Sequence, residues 1–543
     1  MRRRNGSMLR IIQNSTAVGA KSYYSTADYY SEGQELVGQW KGRGAKLLGL
    51  SGNVEKRDWD ALCDNLDPRT GATLTSRQPA SRRIGYDINF HPPKSYSLLY
   101  ELTDDPRLLS AFKDAVDATM QEMEAEMETR VRHSGRNEDR TTGNMVWGEY
   151  IHHTSRPVDG FPDPQLHAHC FTFNTTFDSE EGRWKAGQFA GLKRDARFFE
   201  AMFHSRLSHA ASQLGLPVVR TKQGWELAGL DRTTLAKFSR RTQAIEAKAA
   251  AKGITDPVQK SALGVLTRAG KSKELSMPEL RRLWADRLDA TESDALQRLA
   301  EAIGTEPEKP DPSRAERSAT HAVDHCFERS AVVPERVLAA TALRHGYGQA
   351  HPTQIHTALA AKPLIRAQHR GRDCVTTQEV LAEERGMIEF ARKGRGSLPP
   401  IAAGPHRFSR DWLGPDQKAA VEHVLHAYDR VVSIRGGAGT GKTSLMQEAD
   451  EGIRAAGLQV YAFAPSAAAS RSVLRDEGFA SADTVARLLV DEKLQNKLRG
   501  QVMWVDEAGL LSSRTMAQLF KLADLLDVRI VLSGDRGQHG SVA

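Results

Sequence analysis

Two pairs of tyrosines near the N-terminus are unusual because their surroundings are polar. Tyr23-Tyr24 and Tyr29-Tyr30 lie in AKSYYSTADYYSEGQ, residues 20–34, and make up four of the eleven tyrosines in the chain. A core position is not indicated, because serine, threonine, aspartate and glutamate surround them. A phenol with a pKa of about 10 becomes a nucleophile when a base takes its proton. The pairs are therefore candidate catalytic residues.

Four histidines follow in the stretch IHHTSRPVDGFPDPQLHAHCF. On a strand, His167 and His169 point to the same face, because side chains alternate. A second strand, predicted over 144–152, offers a third imidazole from His152 or His153. Three imidazoles that leave open positions can hold a catalytic divalent metal. The alternative interpretation is a set of surface histidines on sheet strands.

Asp87 is a lone acid in the otherwise apolar strand GYDINF. It is either a solvent-facing or hydrogen-bonded structural residue, or a base that accepts the phenol proton directly or through a neighbouring group. A phenol, an acid and a metal that polarises the scissile phosphate together predict a phosphotyrosine ester. Because this product is still a diester, strand joining can reverse the step without ATP.

The stretch VVSIRGGAGTGKTSLMQ indicates a different chemistry. It contains G-x-x-x-x-G-K-T between an apolar strand and an amphipathic helix, which predicts a phosphate-binding loop. Lys442 is expected to neutralise β/γ-phosphate charge and Thr443 to bind Mg²⁺. The glycines of the motif are Gly436, Gly439 and Gly441.

Two more apolar strands in the C-terminal part end in polar residues. QVMWVDEAGLL ends in Asp506, suited to Mg²⁺ coordination, and Glu507, suited to activating the attacking water. RIVLSGDRGQHGSV carries Gly534-Asp535 and then Gln538.

The elements that position these residues fall into segments separated by two linkers, GTEPEKPDPS (304–313) and KGRGSLPPIAAGP (393–405). Strands are predicted over 82–90, 144–152 and 166–174, and a helix over 106–131 with a buried methionine stripe. Residues 231–300 are predicted to be helical. Strand and helix alternate after residue 410, as in a parallel α/β domain.

Length and composition limit the classes of protein. With 543 residues the chain is expected to form several domains, and a net charge of +7 with a pI of about 9.1 fits a polyanionic partner. Four widely spaced cysteines argue against a disulfide framework or zinc knuckle. Without an apolar run of bilayer length or a secretory signal, a cytoplasmic protein is predicted.

The order of the motifs resembles that of the MobF conjugative relaxases, the TraI/TrwC type. The resemblance covers roughly residues 8–300 and rests on the tyrosine pairs, GYDINFHPPKSYS and HHTSR…DPQLHAH. Such enzymes nick one strand at a plasmid transfer origin and carry it covalently into the recipient. The resemblance implies an α+β relaxase domain with an antiparallel sheet of the HUH endonuclease kind. It also implies single-stranded and transfer-origin DNA, relaxosome accessory proteins and a coupling protein as partners.

Roles follow from the resemblance by position. Tyr23 resembles the nicking nucleophile, and Tyr29 and Tyr30 resemble a second pair that can perform a second strand transfer. Which member of each pair acts, Tyr23 or Tyr24 in the first, stays open. Asp87 matches the acid that orients a ligand histidine and assists tyrosine deprotonation.

The implied metal ligands are His152, His167 and His169, with Mg²⁺ or Mn²⁺ as the ion. His152 is chosen over His153 by alignment with the TSR residues that follow. His153 fills a position where the family pattern leads us to expect an acidic or polar residue, and the loop from Arg156 to Asp163 is longer than expected.

The C-terminal motifs, with LGPDQKAAV upstream, resemble superfamily I DNA helicases. By that resemblance Gln417 contacts adenine and Gln538 senses the γ-phosphate, with ATP and Mg²⁺ as ligands. The predicted domains are a relaxase domain over 8–303, a helical pre-helicase region over 314–395 that is expected to help bind DNA, and a P-loop RecA-like helicase domain over 406–543. That last domain is expected to be incomplete, as in a truncated protein, a gene fragment or a degenerate reading frame.

Other functions are compatible with the same residues. A rolling-circle replication initiator or a transposase-type nickase uses the same tyrosine chemistry, although the helicase motifs and TSR…PQLHAH favour conjugation. A degenerate, non-catalytic DNA-binding fragment is the second alternative, and a P-loop ATPase alone is the third.

Overall fold

The computed structural model describes residues 9–14, 20–21, 37–76, 82–256, 259–260, 263, 275–307, 311, 313–328, 330–437 and 440–535, except for the side chain of His133. The chain divides into two compact units. The first comprises Arg2–Ala322 with Arg336–Lys362, and the second comprises Val323–Glu335 with Pro363–Ala543. The predicted intermediate region, 314–395, is thus divided between the units, and the domain boundaries stay a prediction.

Twelve short strands are described in the first 230 residues. They are β1 Leu9–Asn14, β2 Gln39–Lys41, β3 Gly85–Phe90, β4 Glu128–His133, β5 Arg136–Thr141, β6 Trp147–Thr154, β7 Pro164–Phe173, β8 Thr176–Asp178, β9 Arg183–Lys185, β10 Gly187–Gln188, β11 Val218–Arg220 and β12 Trp225–Leu227.

Ten helices are described between residues 43 and 302, and along the chain they alternate with groups of these strands. They are α1 Arg43–Leu47, α2 Lys56–Cys63, α3 Lys94–Thr103, α4 Pro106–Ala125, α5 Ala190–Arg194, α6 Ala196–Gln213, α7 Arg232–Lys237, α8 Arg240–Ala251, α9 Met277–Ala285 and α10 Ala290–Ala302.

The main sheet of the first unit is five-stranded and antiparallel, with the order β1-β3-β7-β6-β2. Alternation divides its side chains between two faces. One face carries Ile88, Ala168 and Ile151 into a core shared with helices α4 and α6. The opposite face carries the side chains of Asp87, His167 and His169. The same face also carries Phe171 and Phe173 into a second apolar cluster, so the predicted chemistry lies on a face that is partly covered.

Helix α4 shows why the predicted methionine stripe is buried. Pro106 starts the helix, and the side chain of Asp105 accepts a hydrogen bond from the backbone N–H of Arg107. Phe112, Val116 and Met120 then recur on one buried face. The prediction of a helix to residue 131 is wrong at its end, because Glu128–His133 pairs with Arg136–Thr141 as a hairpin.

Residues 313–377 contain six elements. They are α11 Ser313–Phe327, β13 Val333–Pro334, α12 Glu335–His345, α13 Pro352–Ala360, β14 Leu364–His369 and β15 Arg372–Thr377. The three strands form an antiparallel sheet with the order β13-β15-β14.

The second unit is built on a parallel sheet with the order β16-β20-β19-β17-β18. Its strands are β16 Val431–Arg435, β17 Val460–Ala464, β18 Asp483–Thr484, β19 Val502–Val505 and β20 Arg529–Gly534. Its helices are α14 Gln378–Lys393, α15 Pro415–His426, α16 Lys442–Ala455, α17 Val485–Leu488, α18 Glu492–Leu498 and α19 Ser513–Leu526, with a π-helical turn at Ala468–Leu474 and a 3₁₀ turn at Ala508–Leu510.

The predicted class is confirmed at the level of a mixed α/β chain with an antiparallel sheet first and a parallel sheet second. All four cysteines are free thiols within the described residues. Among those residues no helix is long and apolar enough to cross a membrane.

Candidate metal centre and nucleotide site

Three imidazoles converge on the face of the antiparallel sheet that is turned away from helices α4 and α6. His152 on β6 lies directly opposite His167 on β7, and His169 follows two residues later on the same face. The ring centroids are 4.9–5.1 Å apart, and one nitrogen from each ring lies within 4.8 Å of the others. The described residues contain no other cluster of this kind. The structure thus brings together the three predicted ligands.

Hydrogen bonds orient two of the rings. His169 donates from Nδ1 to the carboxylate of Asp87 at 2.9 Å, and His167 donates from Nδ1 to the carbonyl oxygen of Gln165 at 2.8 Å. A proton on Nδ1 leaves the Nε2 lone pair for a metal ion, and such partners fix the ligand orientation. Asp87 lies on β3, two residues before Asn89. Asn89 is the residue that pairs with His169 of β7, so the pairing of the two strands brings Asp87 close to His169.

Burial favours the uncharged form, which binds metal, in two of the rings. Burial, followed by the charges of neighbouring imidazoles, lowers the pKa of His152 and of His167 well below the usual histidine range. Three converging imidazoles, two of them oriented by acceptors at Nδ1, fit a divalent metal ion.

His153 has a different role from its neighbour. Its ring lies on the opposite side of β6, stacked on Tyr100 of α3 with 5.7 Å between centroids. Its Nδ1 contacts Glu101 Oε1 at 3.0 Å, and both side chains are buried. Burial raises the pKa of the Glu101 carboxyl. The structure therefore places the ring of His152, and not that of His153, beside His167 and His169.

The phenols lie outside the described residues. Tyr23, Tyr24, Tyr29 and Tyr30 all fall within residues 22–36. Their predicted role stays a prediction.

The phosphate-binding motif connects β16 to α16. Gly441 has a φ of +72°, and a Cβ atom there would lie 2.5 Å from Gln417 Nε2. Lys442 Nζ donates to the carbonyl oxygens of Gly436 and Gly437 at 2.9 and 3.0 Å. Thr443 occupies the first turn of α16. This is a strand, glycine-rich turn and helix N-terminus, the arrangement that binds phosphate. Gly439 lies outside the described residues.

Gln417 lies against this loop. Its Nε2 donates to the carbonyl of Thr440 at 3.0 Å, and its Oε1 accepts from the backbone N–H of Gly414 at 2.8 Å. The structure therefore brings Gln417 to the phosphate-binding loop. Gln538 lies outside the described residues.

The acidic pair lies at the same edge of the parallel sheet. Asp506 and Glu507 follow the end of β19, two strands from β16, and carboxyl ends of parallel strands share an edge. Ser533 on β20 donates from Oγ to Asp506 Oδ1 at 2.8 Å, and Trp504 Nε1 donates to Ser533 Oγ at 2.9 Å. These contacts orient the carboxylate that was predicted to hold Mg²⁺.

The region that contains the histidine cluster matches a known protein family. The family model described as TrwC relaxase matches residues 17–291, just over half of the chain. The chain belongs to the TrwC relaxase family. The match spans Asp87, the three imidazoles and the segment with the tyrosine pairs. A second family model, described as an AAA domain, matches residues 412–543, which include the phosphate-binding loop.

Curated relatives of this TrwC-family chain are conjugation proteins. The multifunctional conjugation protein TraI of Escherichia coli (strain K12) is 34% identical over 251 residues, which cover 44% of this chain and 14% of TraI. The probable conjugal transfer protein TraA of Sinorhizobium fredii is 35% identical over 170 residues, 30% of this chain and 15% of that protein. The chain thus spans about one seventh of these relatives.

The solved structures that are similar to this chain include the conjugative relaxase TrwC in complex with oriT DNA, in a metal-bound form. That chain is 32% identical, and the match covers 54% of this chain and 99% of that one, with a TM-score of 0.46. A metal-free form of the same complex is 31% identical and also has a TM-score of 0.46.

Two residues that lie at the candidate sites of this TrwC-family chain were not predicted from the sequence. His91, directly after β3, stacks on His167 with 5.2 Å between centroids, and burial with the charges of His169 and Arg10 lowers its pKa to about 3. Its position after the strand of Asp87 was the available signal. Ser533 precedes Gly534-Asp535, but its contact with Asp506 depends on strand order, which sequence does not give.

Proposed function

We propose that this chain is a conjugative relaxase that nicks one DNA strand at a plasmid transfer origin by tyrosine attack. The observation that carries the proposal is the cluster of His152, His167 and His169, with Asp87 bound to His169, inside the region matched by the TrwC relaxase family model. The relatives' names refer to conjugal transfer, and the solved relative was bound to oriT DNA.

In the proposed step the phenol oxygen of Tyr23 attacks the scissile phosphorus. A bond forms between that oxygen and phosphorus, and the bond from phosphorus to the 3′ oxygen breaks. The phenol proton leaves to a base, and the departing 3′ oxygen takes up a proton. The DNA is left joined to tyrosine through its 5′-phosphate, and the reverse step rejoins a strand. Tyr24 is the alternative nucleophile, and Tyr29 and Tyr30 serve a second transfer.

Asp87 acts in this proposal mainly through His169. Because the carboxylate accepts from Nδ1, it fixes the ring with Nε2 toward the other imidazoles. It assists deprotonation of the phenol through that contact or directly. A bound Mg²⁺ or Mn²⁺ would polarise the scissile phosphate. Between these two, three imidazoles favour Mn²⁺, since Mg²⁺ prefers oxygen ligands.

For the second unit we propose ATP binding by a RecA-like fold of the superfamily I helicase kind. Gly436, Gly439, Gly441 and Lys442 would hold the phosphates, with Thr443 and Asp506 on Mg²⁺. Glu507 would activate water, Gln417 would contact adenine, and Gln538 would sense the γ-phosphate. The glycine-rich loop beside Gln417 and the orientation of Asp506 by Ser533 support this proposal. Unwinding of DNA lies outside it.

Transfer-origin DNA, relaxosome accessory proteins and a coupling protein are the proposed partners. The cytoplasm is the proposed location, because plasmid DNA is there.

The test mixes the full chain with single-stranded oligonucleotides that span the transfer origin, in Mn²⁺ or Mg²⁺. We expect an SDS-resistant adduct joined through a 5′-phosphate, and its loss in Tyr23→Phe, Tyr24→Phe. An unchanged adduct yield in that double variant would overturn the nucleophile assignment.

The metal centre is tested with His167→Ala, His169→Ala. We expect loss of both the adduct and calorimetric Mn²⁺ binding. His423→Ala, an exposed histidine of α15, is the matched control and should retain both. Cleavage that persists in the double histidine variant would refute the metal site.

A further inference from the structure

The elements of residues 313–377 follow an order found in winged helix-turn-helix proteins. Along the chain they are helix, strand, helix, helix, strand, strand, from α11 to β15. The strands form a small sheet in which the last strand is central, with the order β13-β15-β14. Winged proteins have the same strand order. Their last two strands form a hairpin, called the wing, whose first strand is the edge of the sheet.

The hairpin β14–β15 has a fixed base and an exposed tip. Cys374 and Val375 of β15 are buried and pair with β13. At the other end the two-residue turn consists of Arg370 and Gly371, with φ values of +51° and +70°. The last residues of β14, Gln368 and His369, are exposed together with Arg370. A rigid ribbon therefore presents its tip to solvent.

The tip carries the groups that bind phosphate. Arg366, Arg370 and Arg372 lie within seven positions, with Asp373 as the acid of the hairpin. Arg366 Nε donates to Glu335 Oε1 at 3.0 Å, and Arg370 and Arg372 are the arginines at the turn itself. Guanidinium groups form charge-assisted hydrogen bonds with phosphate oxygens.

Helix α13 presents polar side chains to solvent. It follows α12 after a connection that starts at Gly346, where a Cβ atom would lie 2.6 Å from Ile355 Cδ1, so the two helices approach closely. Its exposed residues include Thr353, Gln354 and Thr357, whose hydroxyl and amide groups can hydrogen-bond to bases. In helix-turn-helix proteins the second helix lies in the major groove.

We propose that the β14–β15 hairpin is a DNA-binding wing that contacts the phosphate backbone of double-stranded DNA. Duplex is favoured over single strand because the hairpin, LIRAQHRGRDCVTT, has no Phe, Tyr or Trp, and His369 is the one ring on which an unpaired base could stack. The proposal is independent of nicking, and it gives the chain a second DNA contact outside the TrwC relaxase match at 17–291.

The test uses the full chain with Arg370→Asn, Arg372→Gln. Asparagine removes the charge of Arg370 while tolerating a positive φ. The probe is a labelled 30-base-pair duplex of random sequence without the transfer origin, and binding is measured by anisotropy over a salt series. We expect affinity to fall about tenfold, and the slope of log K against log salt to fall by roughly 1 to 2, as for the loss of one or two phosphate contacts.

A matched control comes from the hairpin β4–β5. It also has two six-residue strands, and its two-residue turn, Ser134-Gly135, has φ values of +48° and +81°. It carries exposed Arg132 and Arg136 beside the turn. In Arg132→Gln, Arg136→Gln we expect duplex affinity and salt slope to stay near the parent values.

Two results would overturn the proposal. One is unchanged duplex binding in the wing variant. The other is an equal loss in the control variant, which would mean that general surface charge binds the duplex. Arg370→Asn alone, with a circular dichroism spectrum like the parent, is the second variant if the double variant does not fold. Nicking of a single-stranded oligonucleotide should be unchanged in the wing variants.

Discussion

At the scale of single residues, Asp87 is placed to orient a histidine of the candidate metal centre without belonging to the three-imidazole cluster itself. It contacts His169 with both oxygens, at 2.9 and 3.1 Å from Nδ1. A partner of this kind fixes the ring and raises its basicity.

Asp87→Asn is therefore expected to weaken Mn²⁺ binding about 10- to 100-fold while the three imidazoles remain. Isothermal titration calorimetry with Mn²⁺ measures the effect, and the yield of covalent adduct should fall in parallel. Asp139→Asn, on the exposed strand β5, is the control and should bind Mn²⁺ as the parent does. Equal Mn²⁺ affinity in Asp87→Asn and the parent would remove the orienting role.

Gly441 is the second residue whose identity the structure explains. Alanine there would need a φ of +72° and would place Cβ 2.5 Å from Gln417 Nε2. Gly441→Ala is expected to displace Gln417 and to lower the affinity for a fluorescent ATP analogue by at least tenfold. Gly457→Ala, with a φ of +83° but nothing within 4 Å of its Cβ, separates backbone strain from this clash and should retain the affinity. Similar losses in both variants would refute the explanation.

The metal ligands show where prediction from single residues ends. His167 and His169 share a face by alternation alone, which the sequence establishes. His152 and His153 were equivalent candidates, because the choice depends on which side of β6 faces the core, and that depends on helix α3 with Glu101 and Tyr100. The contacts of His153 with Glu101 and Tyr100, which are distant in sequence, thus distinguish it from its neighbour His152.

At the scale of elements, Glu448 fixes the segment before α15 to α16. It is buried, and its carboxylate accepts from Ser409, Arg410 and His406. Burial alone would raise its pKa, but the hydrogen bonds from Arg410, His406 and Ser409 outweigh it and lower the pKa of Glu448 to about 2. The segment leads to Gln417, so this contact supports the nucleotide site.

A lowered carboxyl pKa predicts a defined pH dependence. The stabilisation from Glu448 is complete above the ordinary value of 4.5 and is lost as the pH falls from 4.5 toward 2. It is on the order of 3 kcal/mol at neutral pH. In Glu448→Gln we expect faster hydrogen exchange in residues 406–410 and α16 at pH 7, with a difference from the parent that shrinks as the pH falls below 4. Glu451→Gln, which is about half exposed, should have a smaller effect. A difference that does not change with pH would contradict this assignment.

The elements themselves were largely predictable. Short runs rich in β-branched and aromatic residues predicted β6 and β7, the segment before the turn HPPKS predicted β3, and the motif after β16 predicted a phosphate-binding loop. The helix predicted to residue 131 ended at Ala125, because pairing with Arg136–Thr141 overrides the local helical period. Hairpin partners are invisible to a local pattern.

At the scale of the whole molecule, the two units have separate cores. Among the described residues the first unit has two hydrophobic clusters, one with Phe112 and one with Trp59, and the second unit has two, with Trp504 and with Phe520. Strand order in both sheets lay beyond sequence reasoning, since it requires pairing between segments as far apart as Gln39 and Glu149.

Separate cores predict separate responses to ligands. A ligand at 100 times its dissociation constant stabilises the state that binds it by about 2.7 kcal/mol. We expect Mn²⁺ to slow hydrogen exchange in the strands around His152 and His167, and Mg²⁺ with a non-hydrolysable ATP analogue to slow it around Lys442. The controls are His167→Ala, His169→Ala for Mn²⁺ and Lys442→Ala for the nucleotide. Protection of both regions by Mn²⁺ alone would contradict independent responses.

The backbone ladder beneath the three imidazoles has a practical consequence. His152, His167 and His169 lie on β6 and β7, inner strands of a five-stranded sheet, paired on both sides by other strands. The sheet itself holds these three imidazoles in place, so the cluster does not require a metal ion to form. A small zinc domain, in contrast, unfolds when its metal is removed. A chelator should leave the circular dichroism spectrum unchanged, and refilling with a series of cations should then rank them on one and the same folded apoprotein.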